Sequence, residues 1–313
     1  MSIRTSLTLL SCCSALVFAA VGCGGDDDSS SGDGGALITA DGSSTVGPFT
    51  TRAAEDWKAD GGGDVTVGIS GTGGDFERFC AGETDISNAS RQIDEEEVAL
   101  CEEGGVEYVE LQVATDALTN VVNTSNDFAT CLTVEQLAKI WGPGSKISNW
   151  NQVDPSFPDL ALKLYGPGTD SGTFDYFTDV INGDEGASRT DFSASEDDNV
   201  IVQGVAGTEG GLGYLGFSYF EENQDTLKAV QVNGGSGCVG PSVEAAQDGS
   251  YEPLARPLFM YVKLSSLSDN QSVSDFVTYT LENAETIATE AQFVPLSPDQ
   301  IAEQQQKLEG ATS

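Results

Sequence analysis

Histidine is absent from the 313 residues of this chain, and cations of any kind are scarce. Lys and Arg together number 13 against 50 Asp and Glu, which gives a formal net charge of −37 at pH 7. Nucleic-acid binding depends on clustered Lys and Arg, so we expect no nucleic-acid partner. The lack of histidine also excludes His-ligated zinc sites and catalytic triads that need an imidazole base. We expect neither a metal ion nor a cofactor.

Long apolar runs are lacking too, apart from one near the N-terminus. Arg4 precedes an apolar run from Leu7 to Ala20, which is shorter than the ~20 residues that a membrane-spanning helix needs. This pattern is typical of an export signal, here residues 1–22. The stretch Ala20-Val-Gly-Cys23 resembles a bacterial lipobox, in which the cysteine is acylated and becomes the first mature residue. An ordinary secretory signal with an incidental cysteine is the alternative.

Gly, Asp and Ser dominate the segment that follows the proposed lipid attachment site. Residues 23–35 show no apolar periodicity, so we expect a disordered tether. The sequence thus predicts an exported lipoprotein at the cell surface or in the periplasm, in contact with the membrane only through the lipid on Cys23.

Four cysteines remain in the mature chain: Cys80, Cys101, Cys131 and Cys238. An even number in an exported protein indicates two disulfides, and four cysteines can pair in three ways. We predict Cys80–Cys101 and Cys131–Cys238, because each pair then lies within one of the two domains predicted below. Four buried thiols are the alternative.

From residue 36 the chain alternates strand-like and helix-like segments. A strand at 36–40 leads through a turn into a helix at 48–60, and a strand at 64–69 leads into a helix at 75–81. Repetition of strand, small-residue turn and helix is typical of α/β proteins with mostly parallel sheets and helices on both faces. The sequence therefore predicts an α/β fold. Further helices are predicted at 132–141, 171–180, 273–288 and 298–308.

Two β-rich passages suggest that the chain passes between two domains twice. The passage Glu107–Val122 is long enough to cross from one domain into another, and Leu254–Val262 can form the return. These crossings predict a discontinuous first domain, residues 36–115 plus 254–313, and a second domain at 116–253.

Three turns are rich in Ser, Thr and Gly: Asp41–Val46, Ser70–Gly74 and Gly166–Thr173. Glycine allows close approach to a ligand, and the open N–H groups at a helix start favour an anion. Any one turn alone is more typical of helix capping. Three of them at the carboxyl ends of strands, where α/β sheets bind ligands, predict an anion site. Neither a Walker A pattern nor GxGxxG occurs, so a nucleotide is a poor fit.

A fourth segment supplies a positive charge. The short strand from Asp85 ends in Ser90-Arg91, and a guanidinium can form two parallel hydrogen bonds to an oxyanion. The alternative is a surface ion pair between Arg91 and the acidic run Asp94–Glu97, which we expect to be a solvated helix face.

At these four segments the chain resembles the phosphate-binding proteins of bacterial Pst-type ABC importers. The resemblance covers roughly residues 36–265. It implies a two-lobed periplasmic-binding-protein fold of type II-like architecture, a hinged cleft and one dehydrated phosphate ion. It also implies that the partner is the permease subunits of an ABC importer and that the protein is not an enzyme. We expect a monomer. The matching motifs are Ser70-Gly-Thr-Gly-Gly-Asp-Phe76 with Phe79, Gly82–Arg91, Gly168–Phe174 and, more loosely, Gly42–Val46.

The resemblance also implies a set of ligand residues. One branch of the family has Arg where Pro167 stands here and Asp where Arg91 stands. A buried carboxylate, Asp170 or Asp85, would accept the proton that hydrogen phosphate carries and sulfate lacks; Asp170 as a helix cap is the alternative. Position by position, the other ligand donors fall on Ser44, Thr45, Val46, Ser70, Gly71, Thr72, Ser90, Arg91, Ser171, Gly172 and Thr173.

The first hypothesis is capture of inorganic phosphate between two lobes that close on a hinge near Val113–Asp116 and Leu254–Pro257, followed by delivery to the importer. The large negative charge does not exclude an anionic ligand, since surface charges are screened over about 8 Å at physiological salt. One alternative is a binding protein for sulfate or molybdate. The other is a secreted serine hydrolase of phosphate esters with Ser70 or Ser171 as nucleophile, although it lacks a histidine base.

Overall fold

The computed structural model describes residues 37–169 and 171–312 of the chain. The proposed signal peptide, Cys23, the tether at 23–35 and Asp170 lie outside the described residues. None of the described helices combines the length and the apolar character needed to cross a bilayer. The strands are β1 Ile38–Gly42, β2 Val65–Val67, β3 Ile86–Ala89, β4 Tyr108–Asn123, β5 Cys131–Thr133, β6 Lys163–Gly166, β7 Ser193–Ala194, β8 Gly211–Gly216, β9 Leu227–Asn233, β10 Cys238–Val239 and β11 Ala255–Lys263. The helices are α1 Gly47–Ala59, α2 Thr72–Cys80, α3 Glu95–Gly104, α4 Val134–Trp141, α5 Trp150–Val153, α6 Gly172–Asn182, α7 Asp198–Ala206, α8 Phe217–Glu222, α9 Val243–Gln247, α10 Leu264–Asp269, α11 Gln271–Glu282, α12 Ala284–Glu290 and α13 Pro298–Ala311.

The first lobe, lobe I, is built on β1, β2 and β3. Strand β1 lies between β2 and β3 and is parallel to both, so its side chains are covered on both faces and Ile38 and Ala40 are buried. The apolar faces of α1 and α11 pack here: Phe49 and Phe276 are fully buried in the same core. This packing leaves the carboxyl ends of β1, β2 and β3, and the turns that follow them, at one edge of the sheet.

The second lobe, lobe II, is built on β6, β7, β8 and β9. Strand β8 pairs with β6 in parallel and with β4 antiparallel, and β9 connects β4 with β5 and β10. The core contains the fully buried rings of Trp141, Trp150, Phe177 and Tyr214. The rings of Phe177 and Tyr214 stack with centroids 3.8 Å apart, which fixes α6 against β8.

Strands β4 and β11 lie where the two lobes meet. The first part of β4 pairs with β11 from Tyr108 to Ala117, and the last part pairs with β8 from Leu118 to Val122. The amide of Leu118 donates to the carbonyl of Leu254 at 2.8 Å, where both chain crossings meet. The predicted domain limits at 115/116 and 253/254 fall at this point and stay a proposal.

Only some of the strand pairs are parallel, whereas the sequence predicts mostly parallel sheets. Within β1–β2–β3 and β6–β7–β8 all pairings are parallel. Strands β4 and β11 are antiparallel to each of their paired neighbours. The antiparallel pairs arise because β11 carries the chain back into lobe I and runs opposite in direction to β4. The fold is therefore a mixed α/β fold.

The predicted helices are present, with one difference near the C-terminus. The segment 273–288 forms two helices, because α11 ends at Glu282 and α12 begins at Ala284. The intervening Asn283 leaves the helical conformation at φ −109° and its side-chain amide donates to the Tyr279 carbonyl at 2.8 Å. Asparagine competes with helical hydrogen bonding in this way, which favours an interruption.

Both predicted disulfides are formed. Cys80–Cys101 links α2 to α3 with 4.2 Å between the Cα atoms. Cys131–Cys238 links β5 to β10 across β9 with 6.0 Å between the Cα atoms. The alternative of four free thiols is therefore wrong, and each bond lies within one lobe.

Candidate anion-binding site

A cleft of about 1020 Å³ lies between the lobes and is lined by residues of both. It opens at the carboxyl edge of β1 and β3, where the oxygen-rich turns follow the strands. Six of the predicted ligand residues line it: Ser44, Thr45, Gly71, Thr72, Ser90 and Arg91.

Asp41, at the end of β1, joins the first two turns. Its Oδ1 accepts hydrogen bonds from the Gly42 amide at 2.8 Å and the Ser70 amide at 2.9 Å. Its Oδ2 faces the guanidinium of Arg78 in an ion pair, and the Gly71 amide donates to the Gly42 carbonyl at 2.9 Å. Asp41 is almost fully buried, so this carboxylate fixes the position of one turn relative to the other.

The segment that ends in Ser90-Arg91 is bonded to the first two turns. The hydroxyls of Thr72 and Ser90 lie 3.2 Å apart, and the Ser90 amide donates to Thr72 Oγ1 at 3.3 Å. The Ser43 amide donates to the Asn88 carbonyl at 2.9 Å. Direct hydrogen bonds therefore hold three sequence segments, each from a different strand end, on one wall of the cleft.

The two helix starts beside this wall differ. At the start of α1 the Gly47 amide donates to the Ser43 carbonyl at 2.9 Å and Pro48 has no N–H, whereas α2 begins on the wall after Gly71 without a side-chain cap among the described residues. Gly71 has φ +84°, a conformation that only glycine adopts readily. Uncapped N–H groups and the positive end of the helix dipole make such starts suited to an anion.

The third predicted turn, which follows β6, contributes differently from the prediction. Ser171, Gly172 and Thr173 do not line the cleft wall, and Ser171 Oγ instead accepts the Thr173 amide at 3.2 Å as the cap of α6. Gly172 nevertheless lies against Thr45. Val46 is buried in the core and Ser70 lies outside the wall, so both touch the site only through their neighbours.

Arg91 lines the cleft in a bidentate ion pair with Glu97. Nη1 and Nη2 of Arg91 lie 2.7 and 2.8 Å from the two carboxylate oxygens. The expectation of a solvated acidic helix face is wrong for Glu97: its side chain is 10% exposed, because it also closes a capping box with Asp94. Hydrogen bonding to Glu97 raises the pKa of Arg91, so the positive charge is permanent and largely neutralised.

Arg256, which the sequence analysis did not identify as a ligand residue, is the second arginine of the cleft. Its Nη2 donates to Thr45 Oγ1 at 2.9 Å and its Nε lies 3.2 Å from Asp116 Oδ2. Its guanidinium carbon lies 3.8 Å from the centroid of the Tyr176 ring, on α6. Arginine is scarce in this chain and Arg256 falls in the predicted hinge, a signal that could have drawn attention to it.

Carboxylates line the lobe II side of the cleft. Asp175 is half-buried, burial raises its pKa, and the nearby Glu185 raises it further. Asp85, one predicted proton acceptor, is not on the wall: its oxygens accept from the Thr39 amide, the Thr39 hydroxyl and Ser266. The other carboxylates of this side are Glu135, Asp179, Glu185 and Glu252.

Among the described residues, no group of three or more Cys, Asp or Glu is arranged to hold a metal ion. The cleft thus presents hydroxyls, backbone amides and two arginines on and around the lobe I wall, and acidic side chains opposite. Such a donor set can hold an oxyanion by hydrogen bonds in place of its hydration shell.

Comparison with known proteins shows what the chain is similar to. The PBP superfamily domain matches residues 28–284. The SphX protein of Synechococcus elongatus is 51% identical over 265 residues, covering 83% of this chain and 78% of that protein. The phosphate-binding protein PstS of Staphylococcus saprophyticus is 42% identical over 290 residues, covering 92% of this chain and 89% of that protein.

Solved structures agree in architecture. A possible phosphate binding protein from Planctomyces limnophilus aligns with a TM-score of 0.85 and 42% identity, covering 89% of this chain and 99% of that one. An ABC-type phosphate transport receptor from Vibrio cholerae, 22% identical, covers 84% of this chain and 100% of its own with a TM-score of 0.66. The latter similarity concerns the fold alone.

Proposed function

The chain belongs to the PBP superfamily, in the branch that contains the SphX and PstS proteins, and we propose that it captures inorganic phosphate outside the cytoplasmic membrane and delivers it to an ABC importer. The convergence of Thr45, Thr72 and Ser90 on one wall of the cleft carries this proposal. A relative that is 42% identical to this chain is named for phosphate binding, and that similarity covers 92% of the chain.

The energetic requirement for phosphate capture is modest. Hydrogen bonds to a charged group contribute ~1.5–3 kcal/mol each, and micromolar affinity needs only ~8 kcal/mol. About four well-placed donors therefore suffice. The uncapped start of α2 and the hydroxyls of Thr45, Thr72 and Ser90 supply that number.

Selectivity for phosphate over sulfate needs an acceptor for the ligand's proton. The sequence predicts Asp170 for this role, and Asp175 is the candidate among the described residues because it is half-buried on the wall. A carboxylate that accepts from hydrogen phosphate would face an unprotonated oxygen of sulfate instead. An unmatched polar contact of this kind costs ~1–3 kcal/mol, which corresponds to ~5–150-fold weaker binding.

Isothermal titration calorimetry with phosphate, sulfate and molybdate tests the proposal. We expect saturable one-to-one binding of phosphate at micromolar or tighter affinity and much weaker binding of the other two anions. Absence of saturable phosphate binding would overturn the proposal. Tighter binding of sulfate or molybdate would favour the alternative of another oxyanion.

We propose binding without turnover. Ser70 is not on the cleft wall, and the hydroxyl of Ser171 is engaged by the Thr173 amide. No lysine is among the described residues that line the cleft, and the chain has no histidine. Hydrolysis of p-nitrophenyl phosphate above the buffer rate would contradict this reading.

The location and partner follow from the same proposal. We propose that residues 1–22 are removed on export, that Cys23 carries the lipid anchor, and that the protein acts as a monomer on the permease subunits of the importer. Intact-protein mass spectrometry of the membrane fraction should show a lipid-modified Cys23 at the N-terminus. Replacement of Cys23 by Ser should release the protein into the soluble exported fraction.

A further inference from the structure

The two arginines of the cleft differ in how many of their donors are already used. A guanidinium has five N–H donors. In Arg91, Nη1 donates to both Glu97 and the Gln92 carbonyl, and Nη2 donates to Glu97. In Arg256, hydrogen bonds within the described residues use one donor of Nε and one of Nη2. More of the Arg256 donors are therefore left for a ligand.

Arg256 contacts both lobes at the point where the chain crosses between them. Thr45 belongs to the first turn of lobe I, whereas Tyr176 belongs to α6 of lobe II and its hydroxyl donates to the Pro253 carbonyl at 2.6 Å. Asp116 lies beside Arg256 on β4 in register. The Arg256 side chain is 18% exposed and that of Asp116 is 8% exposed, so water screens this arrangement only weakly.

We propose that Arg256 is the cationic contact that couples phosphate binding to closure of the two lobes, a role that rests on the proposed function of the cleft. An anion that accepts from the Thr45 hydroxyl lies within reach of the Nη2 atom bonded to that same hydroxyl. Asp116 and the Tyr176 ring hold the guanidinium in place from the strand junction and from α6. The ligand, Thr45 and α6 are thereby connected through one planar group.

Arg91 is less suited to this role. Its side chain is 46% exposed, and its partner Glu97 is 10% exposed, so moving the guanidinium toward a ligand would leave a buried carboxylate unpaired. Arg256 can contact an anion without leaving Asp116, because Nε pairs with the carboxylate, Nη2 donates to Thr45, and the residue lines the cleft.

Coupling of this kind has a kinetic consequence. A contact that forms across the closed cleft slows dissociation more than it speeds association, since most affinity differences within one binding site arise in the dissociation rate. Loss of the Arg256 contact should therefore raise the phosphate dissociation rate ~30-fold or more, with a change of less than ~3-fold in the association rate.

The test measures phosphate affinity by calorimetry and phosphate kinetics by stopped flow in Arg256→Lys, Arg256→Gln and Arg52→Gln proteins. Arg52 lies on α1 outside the cleft and loses the same charge. We expect Arg256→Gln to weaken binding ~30–100-fold, Arg256→Lys to weaken it ~10-fold because lysine lacks the planar fork, and Arg52→Gln to stay within ~3-fold. Small-angle scattering should show compaction on phosphate addition in the wild type and less in Arg256→Gln.

Because Arg256→Gln leaves the buried Asp116 without its partner, that variant can fail to fold. The double variant Arg256→Gln/Asp116→Asn removes both charges together and is compared with Asp116→Asn alone. We expect the double variant to bind phosphate at least ~10-fold more weakly than Asp116→Asn. Equal affinity and equal dissociation rates in these two folded proteins would overturn the role of Arg256, while a wild type that binds no phosphate would instead overturn the proposed function.

Discussion

Gly172, at the first position of α6, lies so close to Thr45 that a β-carbon on the glycine would stand 2.9 Å from the Thr45 hydroxyl oxygen. Gly172 does not have a positive φ, so its backbone conformation is open to any residue and the constraint is one of space. The contact joins the start of a lobe II helix to the first oxygen-rich turn of lobe I. Absence of a side chain at Gly172 therefore permits the approach of the two lobes.

Replacement of Gly172 by Ala should weaken phosphate binding. The added methyl group must displace Thr45 or hold α6 away from it, and overpacking of this kind costs ~1–3 kcal/mol, or ~5–150-fold in affinity. Calorimetry measures the effect. Gly310→Ala is the matched control, because Gly310 lies in helix α13 with open space around it. Wild-type affinity in Gly172→Ala would show that the lobes do not need this contact in the bound state.

Asp41→Asn should loosen the junction between the first two turns. The amide oxygen of Asn can still accept from Gly42 and Ser70, but the ion pair with Arg78 is lost. Because Arg78 is half exposed, we expect a loss of only about 1–2 kcal/mol in unfolding free energy, together with ~3–10-fold weaker phosphate binding. Urea unfolding and calorimetry measure the two effects.

Asp64→Asn is the control for this change. Asp64 pairs with Lys58, and both side chains are mostly exposed. Such a pair contributes ~0.2–1 kcal/mol to the free energy of unfolding. If Asp41→Asn behaved like Asp64→Asn in both measurements, Asp41 would not position the turns.

The sequence predicted those parts of the site that depend on local pattern. The turns after β1 and β2 are recognisable because the end of a strand, small residues and the start of a helix occur within a few positions. The role of Arg256 could not be read in the same way. Arg256 is 211 residues from Thr45 in the chain, and the two meet only because β11 returns beside β4.

Glu97 shows a second limit of local reasoning. Its acidic neighbours indicate a solvated helix face, and Glu95 and Glu96 are indeed exposed. Glu97 is buried because it serves as the third residue of a capping box and also accepts the Arg91 guanidinium. The capping pattern Asp94-x-x-Glu97 was present in the sequence, but the orientation of Arg91 depends on where β3 ends.

The two disulfides should stabilise the fold unequally. In the chain-entropy treatment, cross-linking residues 21 apart contributes about 3 kcal/mol and cross-linking residues 107 apart contributes about 5 kcal/mol. Urea unfolding of Cys80→Ala/Cys101→Ala and Cys131→Ala/Cys238→Ala proteins tests this order. A larger loss from the shorter loop would mean that local packing of α2 on α3, rather than chain entropy, sets the contribution.

Stability should depend on pH through Asp75, in the first turn of α2. The side chain is fully buried, and Oδ2 has no hydrogen-bond partner in the described part of the chain. Burial raises the pKa of Asp75 from 3.8 to about 6. The folded state therefore holds the proton more strongly than the unfolded state, so the contribution of Asp75 to stability is complete below pH ~4 and is lost as pH rises to ~6.

Asp75→Asn should remove this dependence. A shift of roughly two pKa units corresponds to about 3 kcal/mol, so the variant should be more stable than wild type by up to ~3 kcal/mol at pH 8, and the difference should shrink toward zero near pH 4. Urea unfolding of both proteins at half-unit pH steps measures the difference. Because both proteins carry the same other carboxylates, the titration of those groups cancels in the comparison. A flat difference for Asp75→Asn would mean that Asp75 is ionised in the folded protein and that its unpartnered oxygen is solvated.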